Sequence, residues 1–274
     1  MHDKAMGNPV YCKGEIRENT RIGSAYHRLR ISLPHPLGPL IPGQFAMVSL
    51  VGTTDMLLPR PFSIHNCDND DEASRLDFLF KVVGKGTALL ARLPVGTPIH
   101  ILAPLGNGFP DPPGGYKAVI IAGGMGIAPL FPLVLRLKES LPSLAVLYGA
   151  KSQGDLVCLP ELLDLEGITI TITTEDGTRG EQGLVTQLLQ QEKDESGDET
   201  VLYACGPEPM LRTVTDFARE RKAPCWVSIE RRMACGVGAC LSCVVMTSDG
   251  YRRVCCEGPV FAAEEIVWGD DVGP

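Results

Sequence analysis

Residues 118–135 read AVIIAGGMGIAPLFPLVL, eighteen positions without a charge. That length meets the nominal minimum of about 18 apolar residues for a membrane-spanning helix. Gly123, Gly124 and Gly126 interrupt the run, however, and Pro129 and Pro132 follow. A buried strand, a glycine turn and a packed helix account for the pattern better, and no membrane span is expected.

Glycines between a strand and a helix let the backbone approach a pyrophosphate, and the helix N-terminus turns its N–H groups toward the anion. Such a turn also serves as a plain tight connection. A second turn adds weight: Cys205-Gly206-Pro207-Glu208-Pro209-Met210 follows the apolar VLYA and opens another helical pattern. Around these turns, strands at 118–124, 144–150, 168–177 and 200–206 alternate with helical patterns at 127–140, 183–193 and 207–222. Strand–helix alternation with continuous apolar strands is the mark of a parallel sheet covered on both faces. The ligand site of such a sheet lies at the C-terminal ends of its strands, where both turns fall. The polar run 190–199 reads as a solvated loop.

Upstream the rhythm differs. RLRISL (28–33), FAMVSLV (45–51), LDFLFKVV (76–83) and PIHILAP (98–104) are short strands separated by turn-rich segments, the pattern of an antiparallel barrel or sandwich. DPPGG at 111–115 is the best linker. Within this half, Arg60-Pro61-Phe62-Ser63 follows a loop, and Lys85-Gly86-Thr87 ends a strand at a helix start. A guanidinium forks onto oxyanions, and a helix start offers N–H and hydroxyl donors, so both segments suit a phosphate group. Each also reads as a surface charge or an ordinary cap.

Downstream of about residue 225 the chain turns glycine- and cysteine-rich. Five of its ten cysteines fall within 235–256, and Cys235, Cys240, Cys243 and Cys255 follow C-x4-C-x2-C-x11-C. That is the plant-type [2Fe–2S] spacing, with four thiolates on two irons. Structural zinc also takes four cysteines, usually as two separate close pairs, whereas here the first two gaps share Cys240. Gly236 and Gly238 give the loop backbone angles that other residues avoid, bringing amide N–H groups to the sulfurs. Cys255 and Cys256 are adjacent, and spacing alone leaves the fourth ligand open between them.

The 274 residues suit two domains and a small module, here 1–112, 113–225 and 226–274. A net charge of −8 argues against nucleic acid as a partner. The first residues lack an apolar signal region, so a cytoplasmic protein is expected.

The succession R-P-F-S, G-K-G-T, A-G-G-M-G-I-A-P, A-C-G-P-E-P-M and the cysteine loop with its GPVF tail resembles the ferredoxin–NADP reductase superfamily. Within it, the chain is most similar to the electron-transfer subunits of NAD-dependent dihydroorotate dehydrogenases. The resemblance implies a multidomain fold: an antiparallel β-barrel for FAD, a parallel α/β domain for NAD, and a C-terminal [2Fe–2S] module. It implies that Arg60, Pro61, Phe62, Ser63, Leu79, Phe80, Lys81, Gly86 and Thr87 hold FAD. By the same likeness Gly123, Gly124, Gly126, Cys205 and Gly206 hold NAD, and Cys235, Cys240, Cys243 and Cys255 hold the cluster. The position before GPVF favours Cys255 over Cys256, and a cysteine at 256 departs from the family pattern.

A nicotinamide exchanges two electrons as hydride, a cluster moves one, and flavin does both, so flavin belongs between them. No acid–base catalytic residue is expected, because the five histidines are scattered. Cys205 reads either as a neighbour of the nicotinamide or as a small buried residue. An FMN-bearing barrel that oxidises dihydroorotate needs about 250 residues of its own. The resemblance therefore implies a separate catalytic subunit, a heterotetramer, and a place in pyrimidine biosynthesis. Two rivals remain: a reductase subunit of another complex (sulfide dehydrogenase, bifurcating transhydrogenase or sulfite reductase type), and a ferredoxin-like carrier without flavin.

Overall fold

The computed structural model describes residues 8–52, 56, 58–69, 73–141, 143–191 and 199–269. The first seven residues, the centre of the 67–74 turn and most of the polar run at 190–199 lie outside them.

The N-terminal half forms β1 (Val10–Arg21), β2 (Tyr26–Leu33), β3 (Phe45–Leu50), β4 (Arg60–Asn69), β5 (Ser74–Lys81), helix α1 (Lys85–Leu90) and β6 (Pro98–Leu105). Its strands close into an antiparallel barrel in the order β1-β2-β5-β4-β3-β6. Alternation along the strands fills it: Ile16, Leu29, Ile31, Leu76, Phe78, Ile99 and Ile101 are fully buried inside. Arg60–Ser63, after the loop, are the first residues of β4, paired with Phe45–Val48. Pairing with β3 makes this segment a strand, although Pro61 within it cannot donate to the ladder.

The second half forms β7 (Lys117–Gly123), a 3₁₀ turn at Gly124–Gly126, α2 (Ile127–Leu137), β8 (Leu144–Ala150), α3 (Leu159–Leu163), β9 (Thr169–Thr174), β10 (Glu181–Gln182), α4 (Val185–Gln191), β11 (Thr200–Cys205), α5 (Glu208–Arg221) and β12 (Cys225–Ser228). After these come β13 (Val244–Thr247), β14 (Gly250–Arg253) and β15 (Val260–Ala262). The large sheet runs β10-β9-β8-β7-β11-β12-β15, parallel as far as β12, with β15 antiparallel at its edge. Strand order reverses beside β7, so the crevice at the ends of β7 and β11 is the switch point where open sheets take ligands. The sheet thus continues into the cysteine-rich segment, which contributes β15 and carries the β13–β14 hairpin.

Helix α2 couples the halves. Pro132 has no N–H for the carbonyl of Ala128, four residues back. The ring of His65, on β4, fills the gap with Nδ1 at 3.1 Å from that carbonyl. His65 is buried, which lowers its pKa, and Phe131 packs on it at 4.9 Å between ring centroids. With Nδ1 donating, Nε2 is free to accept from the Cys158 thiol at 3.7 Å. Arg28 on β2 adds an ion pair to Glu161 on α3 at 2.5 Å. Among the described residues no helix is long and apolar enough to cross a membrane.

Candidate functional site

A cavity of about 580 Å³ opens at the C-terminal edge of the parallel sheet. The glycine turn after β7, the ends of β8 and β9, the turn after β11 and Glu230 line it, with Tyr26 and Lys81 reaching in from the barrel. Gly123, Gly124, Gly126 and Gly206 thus stand together here, and Cys205 lies buried at the end of β11 directly behind them.

The glycines serve different ends. A Cβ on Gly126 would lie 1.9 Å from the Cys205 carbonyl oxygen, and one on Gly206 would lie 3.0 Å from the Gly123 Cα. Bare backbone at these positions lets the two turns touch. Gly124, with φ +53°, has nothing within 4 Å of its would-be Cβ and presents open backbone to the cavity. The buried Tyr148 hydroxyl, 3.0 Å from the Val157 carbonyl and 3.3 Å from that of Gly124, pins the turn from below. This floor suits an extended phosphate-linked ligand.

At the barrel side, Lys81 donates to the Tyr26 hydroxyl at 2.9 Å and lies 3.4 Å from Asp155, and Tyr26 itself donates to Asp155. These contacts hold the Asp155 carboxyl below its ordinary range, the Tyr26 hydrogen bond first, and raise Lys81. β5 therefore divides the trio named from sequence. Phe80 turns into the barrel core, stacked on His27 at 5.4 Å, whereas Leu79 and Lys81 face the nucleotide-binding half.

Arg60 and Gly86 meet: a Cβ on Gly86 would lie 2.9 Å from Arg60 Nε, so the absent side chain makes room for the guanidinium. Arg60 Nη1 donates to the Leu58 carbonyl at 3.0 Å, which orients the fork. Thr87 spends its hydroxyl locally, accepting from the N–H groups of Val83 and Gly84 at 3.0 and 3.2 Å. Phe62 packs against Phe78 and Phe80. An arginine fork beside a bare glycine suits the pyrophosphate of FAD.

The cysteine loop 235–243 packs on the barrel. Gly236, φ +72°, lies against Met47 and Leu105, and Gly238, φ +78°, against Cys256 and Arg253. Arg253 pairs with Glu257 and reaches the Gly238 carbonyl at 3.3 Å. Amide donors face the sulfurs: Val237 N–H to Cys235 Sγ at 3.5 Å and Gly238 N–H to Cys255 Sγ at 3.2 Å. Among the described residues no group of three or more metal-binding side chains converges on one point. Neighbouring thiols are Cys235 and Cys240, Cys243 and Cys255, and Cys255 and Cys256. Four thiols at the C-x4-C-x2-C-x11-C spacing fit the two irons of a [2Fe–2S] centre. Exposed Cys240 has its thiol pulled down to about 6, chiefly by hydrogen bonding to Ser242, and a thiolate is the ligating form. The Cys256 sulfur lies 3.7 Å from that of Cys255.

A barrel with an anion fork, a switch-point crevice and a cysteine loop of [2Fe–2S] spacing on one chain define a flavin- and nicotinamide-linked iron–sulfur oxidoreductase. Residues 13–109 match the oxidoreductase FAD-binding domain, 120–216 the oxidoreductase NAD-binding domain, and 230–267 the iron–sulfur cluster binding domain of dihydroorotate dehydrogenase B. The dihydroorotate dehydrogenase B (NAD(+)) electron transfer subunit of Shouchella clausii is 40% identical over 232 residues, 82% of this chain and 86% of that one. Its counterpart from Caldanaerobacter subterraneus subsp. tengcongensis is 35% identical over 93% of this chain and 98% of its own. The solved structure of NADH-dependent reduced ferredoxin-NADP oxidoreductase, a flavin-based bifurcating enzyme, superimposes with a TM-score of 0.78 at 27% identity, covering 98% of this chain and 92% of that one. The chain belongs to the family of dihydroorotate dehydrogenase B (NAD(+)) electron transfer subunits.

Sequence reasoning did not single out Tyr26, Asp155, Glu175 or Glu230, which the fold brings to the cavity from separate segments. None carries a local motif. Glu230 offers the one sequence cue, five residues before Cys235.

Proposed function

We propose that this chain carries electrons between a dihydroorotate-oxidising, FMN-bearing partner subunit and NAD+, in the pyrimidine pathway and in the cytoplasm. When bound, FAD and the [2Fe–2S] cluster supply the exchange between single electrons and the hydride of nicotinamide. The chain's own residues hold and align these groups. In this reading Arg60 forks onto the FAD pyrophosphate beside Gly86, and Pro61, Phe62, Ser63, Leu79 and the backbone around Phe80 and Thr87 line the flavin. Gly124 offers open backbone to the NAD pyrophosphate, while Gly123, Gly126, Cys205 and Gly206 build the floor beneath it. Lys81, held by Tyr26 and Asp155, brings a cation to the border of the two nucleotide sites. Cys235, Cys240, Cys243 and Cys255 hold the cluster, with the Gly238 N–H donated to the Cys255 sulfur.

The observation that carries the reading is the seat of the cysteine loop. It rests on β3 and β6 of the barrel through Gly236, while β15 joins the sheet that forms the nucleotide crevice. This seat supports a reading in which the three sites are neighbours. The relatives' name, electron transfer subunit of dihydroorotate dehydrogenase B, supports assigning substrate oxidation to a partner; a heterotetramer of two such pairs follows the family resemblance. The overlap with the bifurcating oxidoreductase, across 98% of this chain, favours one rival, a similar role in another complex.

The test is to purify the chain with and without its co-expressed partner. Alone, it should bleach its flavin with NADH and reduce an artificial acceptor without forming orotate from dihydroorotate. With the partner, orotate and NADH should appear together. Orotate formation by the isolated chain, or a co-purifying partner that ignores dihydroorotate, would reject the proposal.

A further inference from the structure

The roles above leave out Gln44 and Asn107, two side-chain amides where the barrel meets the cysteine-rich segment. Gln44 is the residue before β3 and is buried. Its side chain accepts from the Ile41 N–H at 2.9 Å and donates to the Gly106 carbonyl at 3.0 Å. Its own carbonyl accepts, at 3.0 Å, the N–H of Ile64, the residue that follows Arg60–Ser63 in β4. Asn107, next after Gly106, reaches the other way. Its backbone N–H donates to the Gly258 carbonyl at 2.6 Å, and its side-chain Nδ2 donates to the Glu257 carbonyl at 2.8 Å. These carbonyls stand three and two residues past Cys255. The join leaves little play: a Cβ on Gly106 would lie 2.6 Å from the Gly258 oxygen. Polar links therefore run from β4 through Gln44, Gly106 and Asn107 to the segment that carries the fourth thiol.

We infer that Asn107 is a positioning residue for the electron step between flavin and cluster, its two bonds fixing where Cys255 stands relative to β4. The inference rests on the assignment of flavin to Arg60–Ser63 and of the cluster to the four cysteines. Gly236 packs on Met47 and Leu105, which brings the loop to the barrel without setting its direction. Hydrogen bonds are directional, and two from one residue to successive carbonyls fix register as well as distance. Other bonds of the Cys255 segment, Val254 N–H to the Cys243 carbonyl and Arg253 to Glu257, stay within the cysteine-rich segment, whereas Asn107 ties it to the barrel. Placement matters because an error of about 1 Å can slow a geometry-dependent step by about a hundredfold. NADH delivers two electrons and a proton to flavin as hydride. One electron then moves to the cluster, reducing one ferric iron to ferrous, and the other stays on the flavin.

The experiment mixes the full chain, loaded with FAD and cluster, with NADH. Stopped flow follows flavin bleaching, and freeze-quenched EPR follows the reduced cluster. The variants are Asn107→Ala and Asn107→Asp, the second keeping the shape without an amide to donate. Bleaching should match the wild type in both, while the cluster signal should grow about tenfold more slowly, the effect of roughly half an ångström on that scale. A dye-equilibrated titration should give both variants the wild-type cluster potential, so that driving force does not account for the delay. Hydrogen exchange read by mass spectrometry is independent of activity. It should show the Asn107 N–H of the wild-type chain as protected as the adjoining β6. Asn107→Ala should speed exchange at residues 254–260 about fivefold, the weight of one hydrogen bond. Cluster reduction at the wild-type rate in either variant, equal slowing of both steps, or a delay matched by a shifted potential would overturn the inference and leave the cofactor assignment standing. So would wild-type exchange at Asn107 as fast as in an unfolded peptide, a result that needs no folded variant. Wild-type flavin that NADH fails to bleach, or a wild-type chain without iron, would instead overturn the assignment and the inference with it.

Discussion

Replacing Gly126 by alanine should unseat the nucleotide crevice, while the same change at Gly124, two residues away, should be mild. At Gly126 the backbone is ordinary, with φ −59°, so conformation does not demand glycine. Space does: the new Cβ would lie 1.9 Å from the Cys205 carbonyl oxygen and 2.4 Å from its carbon. Both are backbone atoms at the end of a central strand, so no side chain can swing away, and one turn must retreat by about 1 Å. Overpacking typically costs 1–3 kcal/mol, and backbone on both sides puts this case near the top, at about 3 kcal/mol. Gly124 is the reverse case, open in space but at φ +53°, where alanine costs about 1 kcal/mol. Urea unfolding followed by tryptophan fluorescence would measure both, because Trp226 on β12 sits beside Tyr203 of β11. NADH titration would report the crevice, with Gly126→Ala losing affinity well beyond Gly124→Ala. A Gly126→Ala protein within about 0.5 kcal/mol of wild type would refute the close-packing argument.

Two further outcomes are expected. Cys255→Ser should lose the cluster's visible absorption and bound iron, whereas Cys256→Ser should keep them, because Cys255 pairs with Cys243 and accepts the Gly238 N–H; iron analysis giving the opposite order would reverse the ligand assignment. His65→Ala should cost about 1–3 kcal/mol by stranding the Ala128 carbonyl. In a Pro132→Ala background the restored helical N–H should shrink that cost, and strictly additive unfolding energies would show that His65 acts otherwise.

Much of this protein could be read from local patterns. The apolar strands, the glycine turns and the C-x4-C-x2-C-x11-C loop are each built from neighbours in the chain, and each carries its chemistry within a few residues. Strand–helix alternation was enough for the parallel sheet, and short strands with turn punctuation for the barrel. The direction of a side chain is another matter, since a strand reverses face at each residue and only long-range register says which face meets what. Phe80 lies in the barrel core while Lys81, its neighbour, reaches a cavity built largely from residues 123–230. Arg60–Ser63 become strand only because β3 pairs with them. Tertiary packing also separated the reasons for glycines that look alike in sequence, Gly126 for contact and Gly124 for openness. It brought Tyr26, Asp155 and Glu230 to one cavity across more than two hundred residues, and no local signal could do that, because their nearness exists only once the strands have assembled.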